Sequence, residues 1–143
     1  PLSAPPRPPR PLRVARVALV VGASRGIGLA VARRLVQRGL AVHATFRGET
    51  PPPALAALAA QPSTGTGQLT LHPLNVMSRP QLTSLAAALP SLDLLVYSAG
   101  VNSGNATAQR AVNAEAPFGV IEALLPSVAG APGGGGGGGR ICL

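Results

Sequence analysis

An α/β fold built on a parallel, doubly wound sheet is what this sequence predicts, and three observations carry the prediction. Short aliphatic runs alternate along the chain with stretches of helical periodicity. The first such run opens into a glycine-rich turn, "GASRGIG" (residues 22–28), that leads straight into an amphipathic segment. The connections are short and gather Gly, Pro, Ser and Thr.

Taken in order, "VALVV" (residues 17–21) is β-branched and suits a strand buried on both faces. Residues 26–39 read as a helix. Ile27, Val31 and Leu35 fall on one stripe, with Arg33, Arg34, Gln37 and Arg38 opposite. Gly39 is a natural stop, and the late arginines suit the negative end of the helix dipole. "LAVHATF" (residues 40–46) is a second strand, and prolines 51–53 start a short helix that runs to about residue 60. "PSTGTG" (residues 62–67) is a loop, and "LTLHPL" (residues 69–74) a third strand. Residues 80–89 form a helix with Pro in its first turn. "LDLLVYS" (residues 92–98) is the fourth strand. From residue 105 to about 129 the chain is mostly helical, with a kink expected near Pro117 and Gly119. "APGGGGGGG" (residues 131–139) is a flexible loop, and "RICL" begins a fifth strand. The Pro/Arg-rich "PLSAPPRPPRPLR" (residues 1–13) is expected to be a disordered tail. Residues 14–143 then make one Rossmann-like domain, incomplete at about four strands plus the start of a fifth.

Composition narrows the partners. A chain of 143 residues with 46% hydrophobic and 11% charged residues builds one packed body. Aromatics are only 2%, so its core must be aliphatic. The net charge is +8, and all 12 basic residues are Arg. The acids are Glu49, Asp93, Glu115 and Glu122. The arginines are spread along the chain and stacking aromatics are nearly absent, so nucleic acid is not the expected partner. A coding bias toward Arg, Ala, Gly and Pro accounts for the charge. No apolar stretch is long enough to span a membrane, and none is expected as a partner. Cys142 is the only cysteine, which fits a reducing compartment, and it reads as a core residue. His43 and His72 lie within strands and are too few for a metal site. Cytoplasm is the expected location, or an organelle if the Pro/Arg tail is the remnant of a transit peptide.

The glycine turn carries the chemistry. Gly22 permits the tight turn, Gly26 lets the backbone approach a pyrophosphate, and Gly28 lets the helix pack against the strand. The helix N-terminus offers N–H groups and a positive dipole to the anion. An acid at the end of the second strand would bind the ribose 2′-hydroxyl of NAD. Arg47 ends that strand here, and Arg25 lies in the glycine turn. Both suit a 2′-phosphate, which favours NADP over NAD. Glu49 lies beyond the strand, in a loop.

The spacing Gly-x-x-x-Gly-x-Gly, together with "ATFRG" (residues 44–48), "LNV" (74–76), "YSAG" (97–100) and "VNAEAPFGVIEALLP" (112–126), resembles the short-chain dehydrogenase/reductase family. The wording is most similar to its C-factor/sniffer-like branch, and the resemblance runs from residue 16 to 143. It implies a dinucleotide cofactor and hydride transfer to or from a small carbonyl or alcohol. It makes Gly22, Ser24, Arg25, Gly26, Ile27 and Gly28 cofactor-binding residues, with Ser24 a donor to a phosphate. Asn75 would accept a bond from the adenine amino group, and the Val76 N–H would serve the ring. Ala99 and Gly100 would leave room for the adenosine ribose. Asn113 matches the helix-borne Asn that holds a water in the family's proton relay. Tyr97 and Ser98 stand where the family has paired asparagines. The family's acid/base Tyr-x-x-x-Lys follows the fifth strand. This chain has no Lys, and Tyr97 is its only tyrosine. Starting at Pro1 and ending in "GRICL", it is therefore expected to be part of such a reductase, inactive alone and marginally stable. A non-catalytic dinucleotide-binding module that pairs with a full-length relative is the alternative, and a basic nucleic-acid binder stands third. Homo-oligomerisation is left open.

Overall fold

The computed structural model describes residues 16–62, 67–89, 91–129 and 140–143. The expected tail at residues 1–13 and glycine loop at 131–139 lie outside these. The elements run β1 (Val17–Val21), α1 (Gly26–Gln37), β2 (Ala41–Phe46), α2 (Pro53–Ala60), β3 (Gln68–Pro73), α3 (Arg79–Ala88), β4 (Leu94–Tyr97), α4 (Ala106–Arg110), a π-helical turn (Ala111–Glu115), α5 (Ala116–Ala129) and β5 (Arg140–Cys142). The strands form one sheet in the order β3-β2-β1-β4-β5. Every neighbouring pair is parallel. This is the doubly wound α/β architecture that the alternating pattern predicts.

Strand alternation sends successive side chains to opposite faces, and each face has its own helical cover. On one face Val20, Val42, Ala44 and Phe46 pack with Ala32 of α1 and with Leu55 and Leu58 of α2. On the other, Leu19, Val21, Leu95 and Tyr97 pack with Leu82 and Leu85 of α3 and with Val120 and Leu124 of α5. The core is aliphatic, as the composition requires.

Local sequence explains the element ends. Gly39 sits at φ +83°, and α1 closes on it. The Gly39 N–H bonds the Val36 carbonyl, and the Leu40 N–H reaches back to Leu35. That pair of bonds is a Schellman cap, so the helix stops at Gln37, two residues short of the expected end. Ser78 caps α3 through the Gln81 N–H, with Pro80 in the first turn. Asn105 caps α4 through the Ala108 N–H at 3.1 Å.

Three expectations need correction. The buried stripe of α1 is Gly28 and Ala32, flanked by Leu29, Val31 and Leu35, whereas Ile27 is 77% exposed. Close approach of the helix to the sheet at Gly28 sets its rotation and turns Ile27 outward. The irregularity in the long helix falls at residues 111–115, ahead of Pro117, and Gly119 lies undisturbed inside α5. A proline ring clashes with the carbonyl four residues back in a regular helix, and a wider turn before it relieves the clash. Cys142 is exposed rather than in the core, as are the other two residues of β5.

The two histidines meet across β2 and β3, with His43 Nδ1 2.9 Å from His72 Nε2. Burial lowers the pKa of both below 6.5, and for His43 the neighbouring His72 adds to the effect. The folded state therefore binds protons less readily than the unfolded chain. Stability is full above the unfolded value and is lost as pH falls through 6.5 toward the lowered folded values. Urea unfolding should show a midpoint that drops between about pH 7.5 and 5.5, and His72→Asn should flatten the drop. A midpoint equally pH-dependent in that variant would refute the assignment.

Candidate functional site

β1 and β4 are neighbours in the sheet, and their chain continues into helices on opposite faces. Beyond the paired ends the chain leaves toward opposite faces, which makes this the topological switch point, and open α/β sheets bind ligands in the crevice outside the strand ends there. The loop after β1 (residues 22–25) and the loop after β4 (residues 98–101) form its two lips.

The lips touch through glycine. Gly22 has φ +86°, and a Cβ there would lie 2.5 Å from the Ala99 nitrogen. A Cβ on Gly28 would run into the Gly22 carbonyl oxygen. Both positions demand glycine for close approach, as the motif implies. Gly26 differs, because nothing lies within 4 Å of its Cβ position and that side of the turn faces open space.

The turn is tied down from β2. The Gly22 N–H donates to Thr45 Oγ1 at 3.1 Å, and the Ala23 N–H donates to the Thr45 carbonyl at 2.8 Å. Thr45 is only 2% exposed. Sequence reasoning passed over this residue, since a threonine inside a strand looks like ordinary β-propensity.

At the start of α1, Arg25 occupies the N-cap position with extended backbone, and its side chain makes no capping bond. The first turn carries no acid. The helix thus points unsatisfied N–H groups and its positive end at the open side of the turn, as an anion site requires. Ser24 beside it is half-buried, and Arg25 is exposed. Arg47 is exposed just past β2. Among the described residues the ion pairs are Arg79 with Glu122 and Arg110 with Glu115, so Arg25 and Arg47 pair with no acid there. Glu49 is exposed in the loop beyond.

Beyond β3, Asn75 organises a turn. Its Oδ1 accepts the Met77 N–H at 3.0 Å, its own N–H donates to Gln81 Oε1 at 2.7 Å, and its carbonyl accepts the Ser78 N–H. The side-chain oxygen keeps a second lone pair. Val76 is half-buried against the core.

Asn113 lies in the π-helical turn. Its amide clamps the backbone of Val101, accepting from the N–H at 2.9 Å and donating to the carbonyl at 3.0 Å. Its Oδ1 is 3.4 Å from where a Gly100 Cβ would be. Tyr97, 8% exposed, donates its hydroxyl to the Val112 carbonyl at 2.8 Å. Burial pushes its pKa up to about 12, so it holds its proton. The structure thus joins Gly22, Gly28 and Ala99 directly, and joins Asn113 to them through Gly100 and Val101. Among the described residues no cluster of three metal-ligating side chains occurs.

The sequence and the fold are similar to those of known proteins. The sequence model described as short chain dehydrogenase matches residues 16–141. A Streptomyces coelicolor protein named "Putative ketoacyl reductase" is 37% identical over 97 residues, 65% of this chain and 36% of its own length. The solved RhlG/NADP active-site complex of Pseudomonas aeruginosa is 30% identical, with a TM-score of 0.68 over 82% of this chain and 48% of that one. A short-chain dehydrogenase/reductase of Burkholderia multivorans, solved with bound NADP, is 29% identical, with a TM-score of 0.63 over 78% and 53%. The chain spans about a third of the length of the curated relative and about half of these solved chains. With the glycine turn, the switch-point crevice and this match over nearly its whole described length, the chain belongs to the short chain dehydrogenase family.

Proposed function

We propose that this chain forms the cofactor-binding part of an NADP-dependent oxidoreductase that moves hydride between nicotinamide and a carbonyl or alcohol. The observation that carries the reading is the open N-terminus of α1, with its unsatisfied N–H groups facing a crevice floored by Gly22 and Ala99. NADP, when bound, supplies the hydride chemistry. The residues present fit such a group. The N–H groups of Gly26, Ile27 and Gly28 receive the pyrophosphate, and Ser24 donates to it. Arg25 and Arg47, exposed and without an acid partner among the described residues, receive the 2′-phosphate. Asn75 and Val76 take the adenine, and Ala99 and Gly100 leave space for its ribose. Asn113 supports the loop that carries Gly100 and is the candidate for holding a relay water.

Two relatives solved with NADP support this choice of cofactor. The second reading, a dinucleotide-binding module without catalysis of its own, rests on a specific observation. These 143 residues contain no lysine, and their single tyrosine is buried with its hydroxyl given to Val112. An acid/base tyrosine needs a pKa lowered toward neutrality, and burial moves Tyr97 the other way, to about 12. The chain as it stands binds cofactor and does not turn it over.

Titration by nicotinamide fluorescence should show NADPH binding at least about tenfold tighter than NADH. Arg47→Ala should remove most of that preference while leaving NADH affinity within about twofold. A preference for NADH would overturn the NADP assignment, and binding of neither would overturn the site. Mixed with NADPH and simple aldehydes or ketones, the chain alone should consume no NADPH above the blank. Measurable turnover would contradict the reading of Tyr97.

A further inference from the structure

The π-helical turn sets up a vacancy in its own hydrogen bonding. The Ala116 N–H bonds the Ala111 carbonyl, five residues back. The next donor in that ladder is residue 117, and its partner five residues back is Val112. Residue 117 is proline and has no N–H. The Val112 carbonyl therefore loses its helical donor. Tyr97, the last residue of β4, brings its hydroxyl to 2.8 Å from that oxygen. A half-buried carbonyl left without a donor is costly, and a neutral phenol is a suitable replacement.

The bond has consequences one residue further on. Asn113 follows Val112, and its amide makes both bonds to Val101. Any rotation of the turn that freed the Val112 carbonyl would swing Asn113 away from Val101 and from Gly100. We propose that Tyr97 is a positioning residue: its hydroxyl replaces the N–H that Pro117 lacks, and this bond fixes the turn that holds Asn113 against Gly100 and Val101. The lip of the crevice then depends on a tyrosine that never touches the ligand. Burial keeps that phenol protonated, with a pKa of about 12, so the donor persists at every working pH. Only the effect on cofactor affinity rests on the function proposed above; the geometry stands apart from it.

A double-mutant cycle of Tyr97→Phe and Pro117→Ala tests this, because alanine restores the N–H at 117. The first readout is the side-chain amide of Asn113 by NMR, and the second is NADPH affinity. In the wild-type background Tyr97→Phe should shift the Asn113 amide resonances and weaken NADPH about tenfold. In the Pro117→Ala background the same change should leave the resonances nearly in place and cost less than about twofold. Equal losses in both backgrounds, or an Asn113 amide unmoved by Tyr97→Phe, would overturn the proposal. If the single variant does not fold, recovery of the fold in the double variant supports the proposal, and failure of the double variant overturns it. If the wild-type chain binds no NADPH, the cofactor reading fails, and the amide shifts still decide the role of Tyr97.

Discussion

The contact of Gly22 with Ala99 is the constraint on which the rest of this molecule depends. β1 and β4 lie side by side, yet the chain must leave them toward opposite faces of the sheet. Their exits pass so closely that a single Cβ at residue 22 would strike the Ala99 backbone. Gly28 repeats the demand one layer out, against the Gly22 carbonyl. Together these two approaches bring α1 down onto the sheet and aim its N-terminus into the crevice. Thr45 locks the arrangement from β2 by serving both the Gly22 and the Ala23 N–H groups. The exposed, uncapped start of α1 is thus a result of packing, before any ligand is considered.

The opposite lip is held by polar bonds rather than by close packing. Asn113 grips Val101 in the manner of a neighbouring strand, taking its N–H and serving its carbonyl. The grip requires a helix that widens at one turn, and Pro117 makes the regular alternative unfavourable. One lip is therefore set by the absence of side chains and the other by their presence. The first tolerates almost no substitution, and the second leaves room for variation such as Tyr97 and Ser98, where the family has asparagines.

Much of this was legible in the residues. Alternating runs, the glycine spacing and Gly39 as a helix stop follow from local rules of period and backbone freedom. Those rules act over a few residues, and the parallel sheet with helices on both faces came out as read. What stayed hidden depends on contacts between distant residues. The exposure of Ile27 follows from how close α1 sits to β1, which its own periodicity does not encode. The position of the helix break reflects Pro117 acting on the turn before it, with Tyr97 fifteen residues from its partner Val112. Thr45 carried no signal as a single residue in a strand. Cys142 is apolar enough for a core, and nothing in its own short strand signals its exposure.

The central claim is that packing of Gly22 and Gly28 presents the α1 N-terminus to a dinucleotide pyrophosphate. The most direct measurement is the backbone amide NMR spectrum of the chain as NADPH is added. The account predicts that the Gly26, Ile27 and Gly28 amides move first and furthest, downfield as they gain an anionic acceptor. Amides that stay in place at these three residues, while resonances elsewhere move, would contradict it.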